Sequence, residues 1–77
     1  MKKVHEFSVD ELKVLHLSVI RSERILRRDY IPAERNPVRV RSLTAEADAL
    51  DALGKKVCAA QLSKEFGFYV EPLPAGA

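Results

Sequence analysis

Leu12, Leu15, Val19, Ser22, Leu26 and Tyr30 follow one another at steps of three and four residues. Only an α-helix brings side chains at that spacing onto one stripe, so the chain must build a long helix and cover its seam. The start is written locally. Ser8-Val9-Asp10-Glu11 has the S-x-x-E form of a capping box, in which hydroxyl and carboxylate each satisfy an orphan backbone donor. Phe7 and Leu12 are placed as a hydrophobic staple, and Asp10 and Glu11 suit the positive end of the dipole. Pro32 reads as the stop, with pre-proline Ile31 biased toward extended backbone and Arg27 and Arg28 in the last turns. The first helix is expected over about residues 9–30.

A second helix is expected over about residues 45–66, with Thr44 or Ser42 as N-cap and Glu46 and Asp48 in its first turn. Leu43, Leu50, Leu53 and Val57 are its larger apolar residues, and alanines supply propensity. Gly54 costs roughly 1 kcal/mol against alanine in a helix interior, and its missing side chain allows a close crossing. Phe66-Gly67-Phe68 resembles a glycine stop. Between the helices, the connector 31–43 contains Pro32, Asn36-Pro37 and the alternating Val38-Arg39-Val40-Arg41, which reads as extended. The tail, 67–77, holds Pro72 and Pro74 and is expected to be extended. Helices of similar length, each about 30 Å, joined once predict an all-α fold: an antiparallel two-helix hairpin forming one domain over 1–77.

A core of this size is marginal by itself. Cys58 is the single cysteine, so no disulfide within the chain relieves the shortage, and a reducing compartment fits. The basic opening meets Glu6 before any apolar run, unlike a signal peptide, and Val57–Ser63 is too short an uncharged run to span a bilayer. A cytoplasmic protein without membrane attachment is expected. The first helix carries more apolar surface than one partner helix covers, because Val14 and Ile25 lie on one flank and Leu17 and Ile20 point away from the seam. These four residues are the expected interface of a homo-oligomer that completes a helical bundle. The competing expectation is a lid in which Phe7, Phe68, Tyr69 and Val70 fold back over the belt.

All seven arginines lie between residues 21 and 41, a segment of net charge +4, whereas all six lysines lie outside it. Arg21, Arg24 and Arg28 share an arc opposite the leucine seam, and like charges three and four apart repel. A guanidinium fork holds a phosphate or carboxylate through two bonds at once. On an extended connector Arg39 and Arg41 would point to one side, and Tyr30 is placed to stack a base. These residues form the candidate ligand site: Arg21, Arg24, Arg28, Tyr30, Arg39 and Arg41. The plainer reading pairs the arginines with Glu46, Asp48 and Asp51 on the neighbouring helix. His5 and His16 lack companions at metal-ligand spacing, Cys58 lacks a histidine base nearby, and the glycines form no phosphate loop. No catalytic residue, metal or cofactor is expected.

Phe7-Ser8-Val9-Asp10-Glu11-Leu12, followed by a helix, a basic turn and a second helix, resembles short helical-hairpin proteins encoded by bacteriophages. In outline, over residues 7–67, the chain is similar to anti-defence sponges that assemble from helical hairpins and sequester cyclic nucleotide signals. The resemblance implies an oligomer whose interfaces enclose phosphates with arginines. Three functions are therefore expected in order: sequestration of a phosphate-bearing ligand such as a cyclic nucleotide, docking of the apolar helix face onto a host protein, and nucleic-acid binding by the basic end.

Overall fold

A computed structural model describes residues 6–74. His5 and the basic opening fall outside them, as do the last three residues of the tail. Every regular element among the described residues is helical, and the order is α1 (Val9–Ile25), a π-helical turn (Leu26–Tyr30), α2 (Ile31–Ala33) and α3 (Pro37–Phe66). The first three run on without a break, so the chain forms two helical arms over residues 9–33 and 37–66. No helix among the described residues is long and apolar enough to cross a membrane.

The capping box at Ser8 forms as the sequence predicts. The Glu11 amide donates to Ser8 Oγ at 3.1 Å, and the Ser8 amide donates to Glu11 Oε1 at 3.0 Å. The far end of this arm differs from expectation: Pro32 does not stop it. Ile31 is helical (φ −63°, ψ −48°), and its amide donates to the Leu26 carbonyl five residues back. Widening the turn in this way eases the proline ring past the preceding carbonyls, and Pro32 then sits in the first turn of α2, where no intrahelical N–H is needed. Helical backbone ends at Glu34, which is extended (φ −83°, ψ 131°).

The connector is accordingly residues 34–36, not 31–43, and α3 starts at Pro37. Asn36 is the N-cap, its Oδ1 accepting from the Val38 amide at 3.0 Å, with Pro37 pre-set in the first position. Glu34 Oε1 accepts from the amides of Arg35 and Asn36, both at 3.1 Å, which fixes the bend. Val38-Arg39-Val40-Arg41 is therefore helical. Once Asn36 has nucleated the helix, each further residue adds a backbone bond, whereas a lone extended segment has no strand to pair with. Thr44 caps nothing; its hydroxyl donates back to the Val40 carbonyl at 2.7 Å. The exit is as expected, with Gly67 left-handed (φ 76°) and its amide donating to Ser63 at 3.0 Å.

Leu12, Val19 and Leu26 are buried from the first arm, against Ala47, Gly54, Val57 and Ala59 of α3. A β-carbon on Gly54 would stand 3.4 Å from Val19 Cγ1, so the glycine marks the close crossing. Tyr30 leaves the seam and is 58% exposed, because the π turn adds a residue to the repeat. Near the start of α1, Lys13 pairs with Glu65 near the end of α3 (3.5 Å). Towards its end, Arg27 pairs with Asp48 in the first half of α3 (2.9 Å). The tail turns back along α3, the Val70 amide donating to Ser63 Oγ at 2.8 Å and Lys55 Nζ to the Pro74 carbonyl at 2.9 Å.

Candidate functional site

The arginines divide into bound and unbound groups. Arg27 is the most engaged, its Nε donating to Glu23 at 2.8 Å and its Nη2 to Asp48 at 2.9 Å. Its hydrogen bonds to Asp48 and then Glu23 push its pKa further up. Arg28 folds onto its neighbour Asp29 through two bonds of 3.1 and 3.2 Å. The same pairing raises Arg28 and holds the Asp29 carboxyl below its ordinary value. Arg39 Nε lies 3.3 Å from Glu34. Arg21, Arg24, Arg35 and Arg41 are exposed and have no ion pair among the described residues.

Pairing across the helices is thus narrower than expected. Asp48 takes Arg27, a residue outside the predicted ligand set, while Asp51 takes Lys55 at 3.1 Å and Glu46 pairs with no arginine among the described residues. Local spacing alone signalled the Glu23–Arg27 and Asp51–Lys55 contacts, each of which joins positions four apart.

Arg21, Arg24 and Arg28 remain together on the outer face of the first arm, as their spacing requires. A shallow hollow of about 410 Å³ lies among Glu23, Arg24, Arg27 and Arg28. Tyr30 and Arg39 line a second hollow of about 320 Å³ with Ala33, Glu34 and Leu43. Arg41 does not join Arg39, because two steps along a helix turn a side chain by roughly 200°. The predicted six-residue site is therefore split between an outer arginine row and a Tyr30–Arg39 corner, with Arg41 on neither.

Among the predicted interface residues, Val14 (66%), Leu17 (49%) and Ile25 (41%) are exposed. Ile20 is half-buried instead, in a cavity between the arms. Arg21 lies four residues from both Leu17 and Ile25, so guanidinium and apolar groups share one strip. The tail does not cover that strip; it lies along α3, and Phe68 and Tyr69 remain exposed. No group of three or more histidine, cysteine or acidic residues placed to hold a metal occurs among the described residues.

The fold and this face define an all-α chain of two helical arms with an arginine row on its exposed side. No protein-family model, curated protein or solved structure matches it.

Proposed function

We propose that the chain is an antiparallel helical hairpin that associates with copies of itself and sequesters a phosphate-bearing ligand, a cyclic nucleotide in the first instance, without turning it over. The observation that carries this reading is the strip holding exposed Val14, Leu17 and Ile25 beside Arg21 and Arg24, which have no internal ion pair among the described residues. Copies meeting through the apolar groups bring these arginines to the joint. Apolar burial, at about 25 cal/mol per Å², favours that contact. Crowded guanidinium groups oppose it until an anion sits between them. Ligand binding and assembly therefore strengthen each other. Tyr30 and Arg39, in the neighbouring hollow, suit stacking on a base.

Calorimetry against cyclic di- and trinucleotides, with light scattering on the same samples, tests the reading. Saturable heat and a larger assembly are expected with at least one of them, and Arg21→Glu abolishes both. No heat with any, at concentrations where copies associate, refutes sequestration; a single copy with and without nucleotide refutes the assembly. The exposed Val14, Leu17 and Ile25 also favour a second reading, docking onto another protein. That contact would survive replacement of Arg21 and Arg24 by alanine.

A further inference from the structure

A hollow larger than the two already described lies between the arms, and it adjoins the arginine hollow at Glu23, which lines both. It measures about 460 Å³ and is bounded by α1, α3 and the returning tail. Ile20 forms one wall, Leu50, Cys58 and Leu62 another, and Val70 and Leu73 the roof. Its size is that of a small-molecule site, in the range of about 300–1,000 Å³.

Of the charged groups on the lining, only the exposed Glu71 has no ion pair among the described residues. Lys55 pairs with Asp51 at 3.1 Å and also donates to the Pro74 carbonyl, and Glu23 is held by Arg27 at 2.8 Å. An anion would lose its hydration there, find no free cation on the walls and meet the unpaired Glu71 carboxylate. An uncharged apolar ligand loses nothing, and His16 on the lining offers a ring nitrogen for one polar group. A partner helix does not fit, since the Val70–Ser63 and Lys55–Pro74 hydrogen bonds hold the roof across the opening. Leu73, which lines the cavity, is 70% exposed, so an occupant would cover apolar surface that the tail leaves wet.

We infer that this cavity binds a small, predominantly apolar molecule without negative charge beneath the tail, at a site that adjoins the arginine hollow at Glu23 but uses none of its arginines. Titration with the neutral fluorophore N-phenyl-1-naphthylamine tests it, with alkylation of Cys58, the single cysteine, as a second readout. One probe per chain is expected to bind saturably and to slow Cys58 alkylation. Leu73→Ser weakens binding about tenfold, as loss of a leucine contact implies. Cys58→Phe fills the space and abolishes binding at unchanged helicity, and Arg21→Glu leaves affinity as it was. Non-saturable binding, or an alkylation rate indifferent to saturating probe, overturns the inference. Those two readouts decide it on the native chain even where Cys58→Phe misfolds.

Discussion

Arg27 reaches across from the first arm to Asp48 of α3, Nη2 to Oδ1 at 2.9 Å, while its Nε holds Glu23 at 2.8 Å. One guanidinium thus closes a triad over two helices, and it is withdrawn from the arginine row whose other members face outward. Because the triad is exposed, it sets charge pattern more than stability.

Asp48→Ala should leave the urea denaturation midpoint nearly unchanged, because the ion pair it removes is exposed to solvent. The same change releases Arg27 Nη2 beside Arg24 and Arg28 while Nε stays on Glu23, so calorimetry should show tighter binding of an anionic nucleotide. Weaker binding would mean that Asp48 supports the ligand site.

Gly54→Ala should stabilise by roughly 0.5 kcal/mol, because alanine gains most of the helix propensity that glycine lacks. Its β-carbon meets Val19 Cγ1 at 3.4 Å, an ordinary van der Waals distance. Gly54→Leu overfills the crossing and should cost about 1–3 kcal/mol. Thermal melts of the two variants, moving in opposite directions, check the crossing.

Asn36→Ala should cost about 1 kcal/mol, the ordinary loss for an N-cap, and speed amide exchange at Val38. Thr44→Ala, at the position that the sequence marked as a cap, should cost less than half as much. Equal costs would place the start of α3 further along the chain.

The Asp29 carboxyl should titrate below its ordinary range of about 4 when followed by NMR, because Arg28 stabilises the charged form. A depressed carboxyl contributes stability above its unfolded value and loses it as pH falls through the folded one. The contribution is therefore flat from about pH 5 to 8, begins to fall below about pH 4 and is gone only once pH is under the depressed folded value. Arg28→Ala should return Asp29 to the ordinary range.

Helix ends whose signals are complete within one turn were legible. Ser8 with Glu11, and Gly67 at the exit of α3, carry their hydrogen bonds between positions three or four apart, so residue identity and spacing suffice. Pro32 and the Val38–Arg41 alternation misled for one reason. Each is a local preference of about 1–3 kcal/mol, and a neighbouring device outweighs it: the π turn at Leu26–Tyr30 in one case, the Asn36–Pro37 start in the other. Asn36–Pro37 is itself a local start signal, an asparagine cap followed by a proline already set for the first helical position.

The sequence by itself determined that the chain is helical, that Leu12, Val19 and Leu26 face inward, and that Arg21, Arg24 and Arg28 stand opposite them, because helical periodicity is a property of spacing alone. Tertiary structure decided which arginines are engaged, that Tyr30 joins Arg39 and not the arginine row, and that the tail roofs a cavity over Ile20 and Cys58. Those outcomes depend on distances between residues far apart in the chain. Hydrogen bonds and ion pairs fade within a few ångströms, so only the packed arms fix which of them form.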